Sequence, residues 1–308
     1  MVHCTGSRET NNTDINPNNP HYKLKSKRKS GLPISIHLVN PVYWLLPYLK
    51  DVPKCCHNAC VFDQDNVTED TDVVLVMGFH LKEWQRPTQR WPGQLYVLMD
   101  TEPPANLPSA LWNATSNWRY AFNLTAHYRV DADIFLPYQF IKSVSLVKQQ
   151  NYLELAKGKN KTVLWIVSHC KTQSRRERYV SEMQKYIDVD IFGRCSNISI
   201  CRGTNVNIPV VRGGANYAQS IPGGTFIDAN NFESPKDLAI YLRNLSADLD
   251  GYSTFLRNKD QYQFVKTPNV YCSVCNKIRD EIVKPKIYDV KAWLEEQCHG
   301  PKPFEILK

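Results

Sequence analysis

Residues 163–193 read VLWIVSHCKTQSRRERYVSEMQKYIDVDIFG. The stretch opens with an apolar strand, Val163–Val167, and closes with a second, Val189–Phe192. Between them Ser174-Arg175-Arg176-Glu177 has the form of a capping box, and Val180, Met183 and Ile187 follow at helical spacing. Strand, helix and strand in succession predict two parallel strands joined by a crossover helix. The same grammar extends outward, with strand-like runs at Val73–Met77, Leu95–Met99, Ile208–Val211 and Thr225–Ile227. Ser234-Pro235-Lys236-Asp237 opens another helix, with proline at its favoured first position and Leu238, Leu242 and Leu245 on one face. The chain therefore reads as α/β, and no internal repeat is evident.

Its 308 residues (35.5 kDa) suit two ordinary domains or one large one. With 42% hydrophobic and 22% charged residues, a sizeable core can be buried, which excludes a wholly disordered or collagen-like protein. The most apolar stretch, PISIHLVNPVYWLLPYL (33–49), is broken by His37, Asn40 and three prolines, too early for a membrane span. The start, MVHCTGSRETNN, lacks the apolar centre of a signal peptide. Residues 1–32 are polar and predicted to be disordered. The net charge of +8 suits nucleic acid, acidic lipid or a phosphorylated small substrate. Part of the excess sits in KLKSKRKS (23–30), which reads as a solvated tail; no zinc-finger, RRM or homeodomain pattern accompanies it, and nucleic acid is set aside.

Of the ten cysteines, six fall in two groups, Cys55, Cys56 and Cys60 in KCCHNAC and Cys272 and Cys275 in YCSVCNK, with Cys298 nearby. The first group lacks the spacing of a zinc half-site, so disulfides joining the two ends of the fold are the simpler reading, with Cys55, Cys60, Cys272 and Cys275 as candidates. Asn-x-Ser/Thr sequons lie at Asn11, Asn66, Asn113, Asn123, Asn160, Asn197 and Asn244. Disulfides and N-glycans both form in the secretory lumen.

Three groups of residues are candidates for chemistry. Arg175, Arg176 and Arg178 crowd the first turn of the helix after Val163–Val167. Cations there oppose the helix dipole unless a bound phosphate shares the amides and the arginines; a solvated basic patch is the alternative. In QLYVLMDTEPP, Asp100 and Glu102 end a strand and would share a face if it continued. A carboxylate there suits a general base, and it also suits an ordinary turn. NLTAHYRVDADIFLPY supplies His127, Arg129, Asp131 and Asp133, a pattern equally compatible with a structural ion-pair ladder. The Gly-rich turns RGGANY and IPGGT match neither GxGxxG nor a P-loop, and GxSxG and HExxH are absent.

Taken in order, RWPGQLYVLMDTEPP, FNLTAHYRVDADIFLPY, VLWIVSHC…RRERYVSEM…IDVDIFGRC and IPVVRGGANYAQSIPGGTFIDANNFESPKDLAIYLRNLSADLDGY resemble the eukaryotic α-1,3-fucosyltransferases of glycosyltransferase family 10, from about residue 35 to 298. YCSVC fits the family's Cys-x-x-Cys tail. The resemblance implies two facing Rossmann-like domains of GT-B type, here an acceptor-side domain at 33–150, a GDP-fucose domain at 151–262 and a Cys-x-x-Cys tail at 263–308. It implies GDP-fucose as co-substrate, no other cofactor and no metal, and a glycan acceptor on glycoprotein or glycolipid. It also implies a Golgi lumenal setting behind a membrane anchor and stem, of which this sequence carries no anchor. Glu102 matches the family's general base in its Glu-Ser-Pro segment, with Pro103 in place of Ser. Ser168, Arg176 and Arg178 fall in the donor loop, and Arg129, Asp131 and Asp133 match a Tyr-Arg-x-Asp-Ser-Asp pattern with Ala132 in place of its Ser. The implied reaction is transfer with inversion at the sugar.

One departure stands out. Between FGRC and the PVV-x-GGANY block, CSNISICRGTNVN replaces a longer family stretch bearing a donor-binding Glu and Lys. About 50 residues, on the order of one βα unit and its flanks, are missing near 205–207. The expectation is a shortened donor domain with uncovered strand edges. Either the chain is a working transferase, or it is an inactive lumenal protein that keeps a glycan- or partner-binding surface.

Overall fold

The computed structural model describes residues 32–145, 150–172, 174–196, 207–280, 286–296 and 303–304. Asn11, Asn197, the basic run 23–30, Cys298, and Asn205 and Val206 of the shortened stretch lie outside them. The chain divides into two compact units, 1–140 with 265–298, and 141–264 with 299–308.

The first unit is built on six parallel strands: β1 (Ile34–Val39), β2 (Cys60–Asp63), β3 (Val73–Met77), β4 (Leu95–Met99), β5 (Leu124–His127) and β6 (Ile134–Phe135), in the order β2-β1-β3-β4-β5-β6. The order turns back on itself between β1 and β3, the position at which such sheets hold ligands beyond their carboxyl ends. The central strands β3 and β4 are buried along their whole length, as their unbroken apolar runs VVLVM and LYVLM require. Alternate residues enter two cores. Leu75, Met77, Val97 and Met99 belong to one, and Val74, Val76, Tyr96 and Leu98 to the other.

The segment after residue 263 does not form a separate tail. Helix Val270–Asp280 buries Tyr271, Cys272, Val274 and Cys275 in the first core, and helix Val290–Glu296 buries Val290, Trp293 and Leu294 in the second. Each fully buried aliphatic side chain contributes about 1.5–3 kcal/mol, which makes these helices integral covers of the sheet.

The second unit contains β7 (Gln139–Ser143), β8 (Val163–Ile166), β9 (Val189–Phe192), β10 (Val210–Val211), β11 (Ile227–Asp228) and β12 (Tyr262–Lys266), of which β7 and β12 also carry the chain between the units. β8 and β9 pair in parallel around helix Arg176–Met183, as residues 163–193 predict. Gly193 (φ 99°) closes this unit, because a Cβ there would lie 2.6 Å from the Val167 carbonyl oxygen. Among the described residues, however, the strands form only two-stranded pieces, β8–β9, β10–β11 and β7–β12. Leu164 is 37%, Ile166 50% and Val210 41% exposed, whereas β3 and β4 expose nothing. The core here is carried by helices: Tyr179 and Met183 pack with Leu238, Ala239, Leu242 and Leu245 of helix Pro235–Ala247. Ser234 caps that helix as predicted, its Oγ accepting the Asp237 N–H at 3.2 Å.

The capping box predicted at Ser174 does not form. Arg175, in the left-handed conformation (φ 51°), occupies the cap position without a side-chain cap bond. Glu177 instead accepts from the Thr172 N–H (3.2 Å) and Oγ1 (3.0 Å). The carboxylate satisfies the loop before the helix in place of the cap residue's own amide.

Candidate active site

The carboxyl ends of β1, β3, β4 and β5 gather the polar groups of the first unit. After β1, Asn40 turns left-handed (φ 54°), and its Nδ2 donates to the carbonyls of Met77 (3.0 Å) and Phe79 (2.7 Å). This ties the two strand ends at the switch point. Exposed Tyr43 and Trp44 stand beside it, and Trp44 meets Phe79 edge-on at 5.7 Å between ring centroids.

β4 ends at Met99, so Asp100 and Glu102 do not share a strand face as the sequence pattern allowed. Asp100 turns inward and is 2% exposed, while Glu102 sits half-buried on the loop. Asp100 Oδ1 accepts the Glu102 N–H at 2.6 Å, and its Oδ2 has no hydrogen-bond partner. Glu102 Oε2 accepts from Asn106 Nδ2 at 2.9 Å. Glycine at position 78 makes room, because a Cβ there would lie 2.5 Å from Asp100 Oδ2.

Burial pushes the Asp100 carboxyl up to about 7, outweighing the N–H groups of Glu102, Thr101 and Phe79 that favour its charge. On the next strand His127 is 1% exposed; its Nδ1 accepts the Arg129 N–H at 3.2 Å, which leaves the proton of the neutral ring on Nε2. Burial holds its pKa down to about 4, and Nε2 makes no hydrogen bond.

The two groups carry opposite pH signatures. The folded pKa of Asp100 lies above the unfolded value of about 3.9, so its contribution to stability is full below that value and is lost as pH rises through about 7. The folded pKa of His127 lies below about 6.5, so its contribution is present above 6.5 and is lost as pH falls through about 4. Asp100→Asn is therefore expected to stabilise the chain by about 2 kcal/mol at pH 8 and to leave it within about 1 kcal/mol of wild type at pH 4. Denaturant titration at both pH values checks this.

Arg129, Asp131 and Asp133 form the ion-pair ladder that the sequence left as an alternative. Arg129 is buried, chelates Asp131 (2.8 and 2.5 Å), donates to the Trp293 carbonyl and lies 4.2 Å from the centre of that residue's ring. Asp133 accepts from the Thr125 N–H (2.8 Å) and the Tyr288 hydroxyl (2.8 Å) and pairs with Lys286 (2.6 Å). Arg129 and Asp131 fasten helix Val290–Glu296 to the sheet, and Asp133 fastens the segment just before it.

In the second unit Ser168, Arg176 and Arg178 are exposed at the carboxyl end of β8 and in the first turn of its helix. His169, Lys171, Arg175 and Arg194 are exposed around them, giving a basic surface where the helix dipole also favours an anion. A disulfide missing from the sequence-level candidates, Cys170–Cys195, pins the loop after β8 to the loop after β9. The signal was present, one cysteine just beyond each strand end. Two more disulfides, Cys55–Cys272 and Cys60–Cys275, join the predicted cysteines. The Sγ atoms of Cys55, Cys56 and Cys272 lie within 4.8 Å of one another, but two of them are bonded together, and burial raises the pKa of the remaining Cys56 thiol, so this cluster is no metal site.

Of the sequons, Asn66, Asn113, Asn160 and Asn244 are exposed. Asn123 is not a glycosylation site in this fold. It is 2% exposed, its Nδ2 donates to the Lys286 carbonyl (2.9 Å), and its Oδ1 accepts the Tyr96 N–H (2.9 Å).

Comparison with known proteins decides the lineage. The family model "Fucosyltransferase, N-terminal" matches residues 38–139, and "Glycosyltransferase family 10 (fucosyltransferase) C-term" matches 156–207 and 202–293. The chain belongs to the family 10 fucosyltransferases. The N-terminal match contains the whole Asp100–Glu102 loop and the His127 strand, and the C-terminal match contains the basic surface. Among fucosyltransferase relatives, alpha-(1,3)-fucosyltransferase C of Drosophila melanogaster is 27% identical over 69% of this chain and 62% of its own length. Glycoprotein 3-alpha-L-fucosyltransferase A of the same organism is 30% identical over 56% and 43%. A 4-galactosyl-N-acetylglucosaminide 3-alpha-L-fucosyltransferase of Pan troglodytes is 27% identical over 87% and 85%. The match thus spans less than two thirds of either fly fucosyltransferase. A crystallised alpha1,3-fucosyltransferase with GDP-fucose aligns with 86% of this chain and 97% of its own at 11% identity, TM-score 0.46.

Proposed function

We propose that this chain transfers fucose from GDP-fucose to a hydroxyl of a glycan acceptor, with inversion at the fucose C1. The observation that carries the reading is Glu102. Within the fucosyltransferase N-terminal match, this carboxylate stands half-buried just beyond a central parallel strand, its peptide held by Asp100 and its Oε2 by Asn106. In the reaction Glu102 takes the proton of the acceptor hydroxyl as that oxygen bonds to C1, and the bond from C1 to the phosphate oxygen breaks with its electron pair leaving on GDP. Arg176 and Arg178, with Ser168, meet the diphosphate, where added negative charge is stabilised by fixed cations. The exposed rings of Tyr43 and Trp44, with Phe79, offer apolar faces to an acceptor sugar at the sheet's switch point. Exposed sequons and three disulfides support a lumenal Golgi setting; among the described residues no helix is long and apolar enough to cross a membrane.

A second reading is favoured by one observation: the uncovered strands of the second unit, with Ile166 50% exposed. The alignment with the Pan troglodytes relative runs over 317 residues but uses 87% of these 308, about 268, so about 49 positions find no partner here. On this reading the donor half has lost the βα unit that completes its sheet, and the chain binds glycans without transferring. Incubation with labelled GDP-fucose and 4-galactosyl-N-acetylglucosamine separates the two. Fucosylated product supports the first reading; a folded chain that retains the glycan and forms no product supports the second.

A further inference from the structure

Asp100 and His127 directly follow Met99 and Ala126, the last residues paired between β4 and β5. Both are more than nine-tenths buried, and each has one polar atom without a hydrogen-bond partner, Oδ2 and Nε2. Such atoms are costly to bury, and a core position offers cheaper apolar residues. The satisfied side of Asp100 points to the candidate base. Asp100 Oδ1 accepts the N–H of Glu102 at 2.6 Å.

We propose that Asp100 is the positioning residue of Glu102, gripping its peptide N–H so that the carboxylate stands ready over the sheet edge. The inference rests on the fucosyl-transfer reading and deepens it. The grip is strongest when Asp100 is ionised, since a charged acceptor makes the shorter and stronger bond. The groups facing Asp100 are the N–H groups of Glu102, Thr101 and Phe79, the carboxylate of Glu102, and Tyr128 just beyond the neighbouring strand, whose own pKa is raised to about 12 first by burial and further by Asp100 and Glu102. No cation is among them, so burial dominates and Asp100 titrates near pH 7. As it protonates, the bond to the Glu102 N–H weakens. Transfer then falls on the acid side of neutrality because of Asp100, with Glu102 still present.

The test compares the full-length wild type with Asp100→Ala and Asp100→Asn. Amide hydrogen exchange of the peptide covering 100–103 is measured without substrate, and kcat and KM with GDP-fucose and 4-galactosyl-N-acetylglucosamine from pH 5.5 to 8.5. Asn keeps an Oδ1 acceptor and cannot ionise. The expected result is exchange accelerated at least about tenfold in Asp100→Ala and returned to within about threefold of wild type in Asp100→Asn. kcat at pH 8 should drop about tenfold in the Ala variant, with acceptor KM changed less than about twofold, and in the Asn variant should sit at the level that wild type reaches on its acid side. The acid limb near pH 7 should be present in wild type and absent from Asp100→Asn. An acid limb that survives in Asp100→Asn, or kcat and exchange unchanged in Asp100→Ala, overturns the proposal. A wild-type chain that transfers nothing defeats the transferase reading instead. Exchange then decides the grip alone: acceleration by Ala with rescue by Asn supports it, and equal exchange in all three chains overturns it.

Discussion

Glu102→Gln is expected to lower kcat by about 10²–10⁴-fold while KM for donor and acceptor stays within about twofold. The substitution is nearly isosteric, and the remaining carbonyl oxygen still accepts from Asn106, so the loop keeps its shape. Only the ability to take the acceptor proton is lost. The size follows from what a base supplies: an unassisted hydroxyl is a poor nucleophile, and leaving its proton in place as the bond to C1 forms costs roughly 3–5 kcal/mol of barrier. A carboxylate that merely capped the loop would give a different pattern, a modest loss of stability with kcat intact. Steady-state kinetics with labelled GDP-fucose, together with a melting curve of the variant, distinguishes the two.

The largest effect on stability is expected at the cysteines. Cys55–Cys272 and Cys60–Cys275 close loops with sequence separations of 217 and 215, so the two crosslinks restrain nearly the same segment of unfolded chain. Either alone holds the loop closed. Removing Cys60 and Cys275 together is therefore expected to cost only about 2–3 kcal/mol, whereas replacing all four by serine should cost at least about 5 kcal/mol. The helix carrying Cys272 and Cys275 would lose its tether along with its burial against β1 and β3. Against a total stability of about 5–15 kcal/mol, the fourfold variant should fail to hold the first unit folded at 37 °C. Circular dichroism in urea with and without reductant measures both steps. Equal losses for the single-bridge and fourfold variants would contradict the shared-loop account.

How much of this was legible in the sequence depended on whether the signal was local. Val73–Met77 and Leu95–Met99 were readable to the residue, because a central parallel strand is apolar on both faces and its run ends where burial ends. The crossover unit 163–193 and the Ser234 cap were equally local. The Ser174 cap failed because Thr172, two residues further out, competes for the Glu177 carboxylate, a choice made by the loop path. Asn123 met the sequon rule and is nevertheless buried, because its side chain serves Tyr96 and Lys286, residues 27 and 163 positions away. Asp100 looked like the twin of Glu102. Only the strand ending at Met99 turns one acid into the core and leaves the other at the edge. The ladder of Arg129, Asp131 and Asp133 was foreseen as a structural alternative, but its partners Trp293, Lys286 and Tyr288 belong to a segment that sequence alone set aside as a tail.

The central claim, a family 10 fucosyltransferase that acts on GDP-fucose, is tested most directly by calorimetric titration of the full-length chain with GDP-fucose and with GDP. Micromolar binding of both, with a Kd raised at least about tenfold in Arg176→Ala, is the predicted result; a charge-assisted contact to phosphate is worth about that much. A folded chain that binds neither nucleotide, or binds them equally well without Arg176, would contradict it.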